Sequence, residues 1–290
     1  MIPNINEIQQ KKKKNEKIVV LTAYDLFTAK ICNDCQIDIV LVGDSAGMVS
    51  LGYSSTMPVT MDEMVVFCKG VVNGAKNCLI VADMPFGSYQ VNSSLAITNA
   101  IKFIKLGCHA VKIEGGLEVV PLVRKMSEYG IPVMGHIGLQ PQTTVLWEGY
   151  GVQGKTKESA VALYDQAIEL ERAGVFSIVL ELVTKQVAEL ISKSINIPTI
   201  GIGSGSGCDG QVLVYHDLVG MFDKFKPKFV KRYLDAYELN LIAVKNFKSD
   251  VASKTFPSEE HSFSIPDSEL KKFREFLETK TKSNLDNQTL

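Results

Sequence analysis

Groups able to do chemistry recur at one kind of place in this chain, the end of a short apolar run. DIVLVGDS ends in Asp44 and Ser45, and CLIVADMP carries Asp83. HAVKIEG carries Lys112 and Glu114, PVMGHIG reaches His136, and FSIVLEL reaches Glu181. Asp44, Asp83 and Glu114 form an all-oxygen set, which hard cations such as Mg²⁺ prefer. Zinc more often takes His or Cys, and His136 has no second imidazole beside it, so it reads as a hydrogen-bonding or substrate-contacting group. Lys112 and Glu114 lie two apart on one strand and face the same way, with an interior salt bridge as the alternative reading. Glu181 sits between Leu180 and Leu182, apolar flanks that suit a proton acceptor. The set points to metal-assisted proton abstraction beside a carbonyl, with Lys112 supporting the developing charge.

Such groups need a frame. Apolar, β-branched runs at 18–25, 38–44, 78–85, 109–115, 132–138, 176–182, 198–204 and 212–220 (VLVYHD at its head) alternate with helical patterns. The helical stretches are 25–35, 60–75, 93–106, 117–129, 158–173 and 185–194. The runs are near-continuous rather than alternating, the mark of strands buried on both faces in a parallel sheet. Eight such strands predict an α/β fold, a single-domain (β/α)₈ TIM barrel with extra C-terminal helices; an open doubly wound sheet is the alternative. A barrel gathers strand C-terminal ends on one face, so five neighbouring strands would deliver their polar groups to one site.

The expected organisation is a Lys-rich segment at 1–17, a barrel domain at 18–263 and a partly helical extension at 264–290. Lys11 to Lys14 read as a solvated helix start rather than a polybasic patch. Helix resumes from residue 228, and Asp267 is placed to cap a last helix before a frayed end at 281–290.

Of 290 residues, 46% are hydrophobic and 22% charged, a globular balance that excludes general disorder. With 31 basic and 32 acidic residues the net charge is −1, without the basic excess of a nucleic-acid binder. No apolar run approaches a membrane span, and the first residues lack a secretory h-region. The six scattered cysteines therefore read as reduced thiols in a cytoplasmic protein.

Three motifs are decoys. GYGVQGKT (149–156) fits the P-loop pattern but lacks a convincing strand before it. GSGCDG (205–210) fits G-x-G-x-x-G but precedes a strand-like run, where a dinucleotide fingerprint needs a helix. Cys32-x-x-Cys35 lies within a helical pattern with no second pair, so packed thiols are expected.

Longer segments carry a resemblance. They are LTAYD (21–25), VLVGDSAGM (40–48), LGYSSTMPVTMDEM (51–64), ADMPFGSYQ (82–90), AVKIEGG (110–116) and PVMGHIGLQPQ (132–142). YGVQGKT (150–156), IVLELV (178–183), IPTIGIGSG (197–205), DGQVLVYHDLVG (209–220), PKFVKRY (227–233) and FPSEEHSF (256–263) continue the series. In this order they resemble the 3-methyl-2-oxobutanoate (ketopantoate) hydroxymethyltransferase family. The resemblance implies a (β/α)₈ barrel, often a decamer, that uses Mg²⁺. It implies transfer of the one-carbon unit of 5,10-methylenetetrahydrofolate to 3-methyl-2-oxobutanoate through a Mg-stabilised enolate, giving 2-dehydropantoate and tetrahydrofolate for pantothenate and coenzyme A synthesis. By motif, Asp44, Asp83 and Glu114 are implied as the metal set, and Glu181 as the proton acceptor. Ser45 and Lys112, with Asp44 and Asp83, are implied as keto-acid contacts, and His136 as a supporting one. A metal-enolate lyase or mutase of the phosphoenolpyruvate mutase and isocitrate lyase type is the alternative. The Lys-rich start, Cys208 with its neighbouring serines, and residues 264–290 lie outside the resemblance.

Overall fold

The computed structural model describes residues 4–146, 151–222 and 227–286. Eight parallel strands run in sequence order around a closed barrel: β1 (Ile18–Thr22), β2 (Ile39–Val42), β3 (Leu79–Asp83), β4 (Ala110–Glu114), β5 (Val133–Gly138), β6 (Ser177–Glu181), β7 (Thr199–Ile202) and β8 (Gly210–Leu213). Pairing of β8 with β1, Val20 opposite Val212, closes the ring and removes the open-sheet alternative.

The helices are α1 (Ile5–Lys13), α2 (Leu26–Asp34), α3 (Ala46–Val49), α4 (Met61–Gly74), α5 (Ser93–Leu106), α6 (Val120–Glu128), α7 (Lys157–Ala173), α8 (Lys185–Ser194), α9 (Tyr215–Leu218), α10 (Ala236–Ser253) and α11 (Asp267–Asp286). Their ends follow local chemistry. Thr60 and Glu63 form a capping box on α4, and Thr156 and Ser159 form one on α7. Gly107 and Gly174 end α5 and α7 in the left-handed conformation that a Cβ disfavours.

Strand parity decides what the barrel contains. Side chains alternate sides along a strand. Ile18 and Val20, Ile39 and Leu41, and Leu79 and Val81 point inward and join Ala110, Met134, Val179, Ile200 and Val212 in one buried cluster. Their outward neighbours, among them Val40, Ile80, Val111, Ile178 and Leu180, pack in a second cluster with the helices. Full burial of an Ile or Leu contributes roughly 1.5–3 kcal/mol. The apolar lower layers therefore provide the stability against which a charged upper layer can be held. Continuing the inward parity towards the strand ends gives Asp83, Lys112, His136 and Glu181 at the next step and Glu114 one step beyond Lys112.

α1 closes the opposite end. Ile8, 1% exposed, joins the interior cluster from below. Lys11 pairs with Asp38 at 2.5 Å, and Lys12 pairs with Asp209 at 2.9 Å while donating to the carbonyls of Ser192 and Ile197. The helix start is as expected, but these two lysines are anchored to the barrel floor rather than solvated.

Two further expectations change, and the β7–β8 connection, for which no helix was expected, has none. Only Gly210–Leu213 of the eighth run is strand; residues 215–218 turn into α9, whose first amide donates to Thr22 Oγ1 at 3.0 Å. No helix separates β7 from β8: residues 203–209 return the chain alone, helped by positive φ at Gly203 and Gly205. Residues 228–235 are not helical, because Arg232 and Tyr233 are hooked back to the Phe222 and Leu218 carbonyls.

The chain forms two compact units, Met1–Asp235 and Ala236–Leu290, so α10 and the 3₁₀ turn Glu259–His261 belong with α11 in the second. Within that unit Phe256 meets Phe247 at 5.6 Å and His261 at 5.1 Å between ring centres. Asp267 is the first residue of α11 rather than its flank. The expected fray at 281–290 lies partly outside the described residues. No described helix is long and apolar enough to cross a membrane.

Candidate active site

The strand register places the polar groups side by side. Asp83 neighbours Lys112, Glu114 neighbours His136, and Gly138 neighbours Glu181. Lys112 Nζ lies 3.0 Å from Asp83 Oδ1, 3.3 Å from His136 Nδ1 and 3.7 Å from Glu114 Oε1. His136 bridges two acids: Nδ1 is 3.3 Å from Glu114 Oε1 and Nε2 is 3.2 Å from Glu181 Oε2. Asp44 follows β2, and its amide donates to Asp83 Oδ2 at 3.0 Å. Asp44, Asp83, Lys112, Glu114 and His136 are all at most 5% exposed. Glu181 is more open, with its side chain 16% exposed. Ser45 shares a hydrogen bond of 2.8 Å with the Tyr24 hydroxyl.

All seven predicted site residues line one cavity of about 460 Å³ at the C-terminal ends of the strands. The salt-bridge reading of Lys112 and Glu114 also holds, but the shorter ion pair of Lys112 is with Asp83. The surroundings of Glu181 differ from expectation. Leu180 points outward into the helix-facing cluster, and the group that meets the carboxylate is His136. Leu182 adopts φ of +48°, rare for a non-glycine residue and strained. That turn directs β6 out of the sheet immediately after Glu181. Across from it, Gly138 has φ of +94°, and a Cβ there would collide with the Glu181 carbonyl oxygen.

The electrostatics are unbalanced. Burial, then the charges of Asp83 and Glu114, push the Asp44 carboxyl well above its ordinary range. Burial likewise raises Asp83, against the pull of Lys112. Burial and Lys112 oppose a charged His136, but Glu114 and Glu181 outweigh them and raise it to about 9. Burial also acts against the Lys112 ammonium, but the surrounding carboxylates prevail and hold it charged. Fully ionised, four carboxylates face one ammonium and one imidazolium, leaving two negative charges in a closed barrel. Asp83 Oδ1 is buried and, although ion-paired with Lys112, accepts no hydrogen bond. A buried uncompensated charge is costly unless a cation joins it. The donor set thus fits a divalent oxygen-seeking ion. Among the described residues, however, no three acidic, His or Cys side chains are arranged to hold an ion by themselves.

Sequence reasoning missed the hub of this site. Gln142, 1% exposed, donates from its backbone to Glu114 Oε2 at 3.1 Å. Its side chain donates to Asp44 Oδ2 at 2.8 Å and to the Met84 carbonyl at 2.9 Å, and accepts from Tyr89 at 2.9 Å. It therefore orients two of the carboxylates. Gln142 lies inside the GLQPQ segment, but an uncharged amide beyond a strand end carries no signal of that role. The decoys resolve too. Residues 141–146, before the P-loop-like run, form a 3₁₀ helix, and Gln153 within the run pairs with Val183 beyond β6. Residues 149 and 150 of that run lie outside the described residues. The glycine-rich loop leads into β8, and all six cysteines are free.

A profile of the ketopantoate hydroxymethyltransferase family matches residues 3–259. The chain is 53% identical over 275 residues to the 3-methyl-2-oxobutanoate hydroxymethyltransferase of Nitrosopumilus maritimus, covering 95% of this chain and 99% of that one. It is 53% identical over 260 residues to the enzyme of the same name from Thermotoga sp. strain RQ2, covering 90% and 96%. The crystal structure of phosphoenolpyruvate phosphomutase from Streptomyces platensis subsp. rosaceus superposes with a TM-score of 0.58 over 97% of this chain and 99% of that one. Its identity is 13%, so the likeness is one of fold. The sequence matches place the chain plainly: it belongs to the ketopantoate hydroxymethyltransferase family.

Proposed function

We propose that this enzyme transfers the one-carbon unit of 5,10-methylenetetrahydrofolate to 3-methyl-2-oxobutanoate, giving 2-dehydropantoate and tetrahydrofolate. The observation that carries the reading is the pairing of an unbalanced carboxylate pole with a more exposed Glu181 in one cavity. Asp44, Asp83 and Glu114 would hold Mg²⁺ at this pole, since Mg²⁺ prefers oxygen donors and commonly takes only one or two carboxylates directly. When bound, the ion supplies Lewis-acid polarisation of the keto oxygen and offsets the charge that builds as a proton leaves C3.

The protein's own groups do the rest. Ser45 and Lys112 hold the keto acid's carboxylate and keto oxygens, Lys112 as a fixed cation whose charge Asp83 orients. Glu181 accepts the C3 proton. His136, gripped by Glu114, holds the Glu181 carboxylate in place and faces the new negative charge as it transfers. C3 then bonds to the one-carbon unit as its two carbon–nitrogen bonds to the folate break; one water supplies the hydroxyl oxygen and one proton, Glu181 returns the proton taken from C3, and these two protons leave on the nitrogens of tetrahydrofolate. The phosphoenolpyruvate mutase type of chemistry is supported only at the level of fold.

The reading also places the enzyme in the cytoplasm, supported by six unpaired thiols, and in a homo-oligomer, with the decamer as the expected form. Apolar Phe27 and Val66, 74% and 65% exposed on α2 and α4, support self-association. Proton NMR of the protein with both substrates and Mg²⁺ tests the reaction. A new hydroxymethyl signal that disappears on adding EDTA is expected. Proton exchange at C3 without transfer would refute the folate donor, and no reaction of folded protein with either substrate would refute the whole assignment.

A further inference from the structure

The cavity has a second pole that the keto-acid chemistry leaves unused. Opposite the strand ends of β2 to β6 its described lining is Val212, Val214, Phe222 and Phe229, with the carboxylate of Asp217 and the cation of Lys228. Asp217 belongs to α9, which is fixed at both ends. The Tyr215 amide is held by Thr22 Oγ1 at 3.0 Å, and the Met221 amide by the His216 carbonyl at 2.8 Å. The His216 ring lies 5.5 Å from that of Tyr24, whose hydroxyl reaches Ser45. These bonds fix the backbone that carries Asp217.

Among the described residues this carboxylate makes no side-chain hydrogen bond or ion pair, and Arg232 is the described charge that acts on it. A half-buried carboxylate without a partner is costly unless something else satisfies it. Among the described lining residues it is the sole acid outside the metal pole and Glu181. Apolar walls, two aromatic side chains and one carboxylate suit a flat heterocycle with adjacent N–H donors on one edge. Lys228, exposed at the rim, suits an anionic tail attached to that ring.

We propose that Asp217 reads the amino-pyrimidinone edge of the reduced pterin, accepting from its ring N–H and 2-amino group, and that Lys228 meets the glutamate tail of the same molecule. This rests on the folate reading above and names the residues that select the donor. It leaves the metal pole to the keto acid and puts the donor's methylene carbon between the two poles, facing C3.

The test is titration of tetrahydrofolate into the Mg²⁺-loaded protein by calorimetry, with 3-methyl-2-oxobutanoate titrated in parallel. Asp217→Asn is expected to weaken tetrahydrofolate roughly 10- to 100-fold, the scale of one lost charge-assisted hydrogen-bond pair. Keto-acid affinity in the same sample reports on the fold and the metal pole. A tetrahydrofolate analogue with methyl in place of the 2-amino group is expected to bind wild type weakly and to be little affected by Asp217→Asn. Lys228→Glu is expected to weaken tetrahydrofolate but not 6-methyltetrahydropterin, which lacks the tail. Unchanged tetrahydrofolate affinity in Asp217→Asn, with wild type binding normally, overturns this proposal and leaves the folate reading standing. Failure of wild type to bind tetrahydrofolate overturns both.

Discussion

Replacing Gln142 with leucine removes one uncharged side chain and the hydrogen bond it gives to the Asp44 carboxylate. Three side-chain hydrogen bonds disappear: those to Asp44 and Met84, and the one from Tyr89. Tyr89 keeps its second acceptor, the Glu114 carbonyl at 2.9 Å, so its loss is small. The bond to the Asp44 carboxylate is of the charge-assisted kind, worth roughly 1.5–3 kcal/mol, and orphaning the buried Met84 carbonyl costs roughly 1–3 kcal/mol. Leucine recovers part of this through apolar contact, so a net loss of about 3 kcal/mol is expected. That is a large share of the roughly 5–15 kcal/mol by which most proteins are stable. Urea unfolding of the metal-free protein reads it directly. Because Gln142 also orients Asp44, Mg²⁺ affinity should fall roughly 10- to 100-fold, as for other groups that support ligating side chains. Unfolding within about 0.5 kcal/mol of wild type, together with unchanged Mg²⁺ affinity, would refute the hub reading.

Other consequences follow from single features. Gly138→Ala must abandon φ of +94° or displace the Glu181 carbonyl, so kcat should drop at least tenfold in protein that remains folded by circular dichroism. Ile8→Ala, at the floor of the barrel, should cost roughly 2–5 kcal/mol in urea unfolding and leave the KM for the keto acid unchanged. Metal removal should expose a pH dependence. His136 at about 9 lies above its unfolded value of roughly 6.5, so its contribution is complete below that value and lost as pH rises through about 9. The raised Asp44 and Asp83 carboxyls act in the same direction. In EDTA the unfolding midpoint should therefore decline from pH 6.5 to pH 9, and saturating Mg²⁺ should flatten the decline; a midpoint that rises with pH in EDTA would contradict the charge accounting.

Much of this was legible in the sequence because barrel strands are read by parity. Asp83 follows Val81, which follows Leu79, and each step of two keeps the side chain inside. The same rule puts Lys112 and Glu114 together and brings His136 above Met134. Register then sets neighbours that no single segment contains, such as Glu114 beside His136. What escaped the reading came from groups without a pattern. Gln142 acts from a short 3₁₀ turn with no charge of its own, and the leucines beside Glu181 gave the wrong surroundings because one faces the helices and the other turns left-handed. Residues 215–217 look strand-like by composition, but tethering of the Tyr215 amide to Thr22 turns them into α9. Lys12 reads as solvated in a run of four lysines; only the fold brings Asp209 and two carbonyls to it.

The central claim is that Glu181 takes the C3 proton in a cavity whose carboxylate pole is completed by a divalent cation. Its most direct test is deuterium exchange at C3 of 3-methyl-2-oxobutanoate in D₂O, followed by proton NMR without any folate, for wild type and Glu181→Gln. Wild type should exchange with Mg²⁺ and stop in EDTA, and Glu181→Gln should lose exchange by at least a hundredfold while still binding Mg²⁺ and the keto acid. Exchange at the wild-type rate in folded Glu181→Gln would contradict the account.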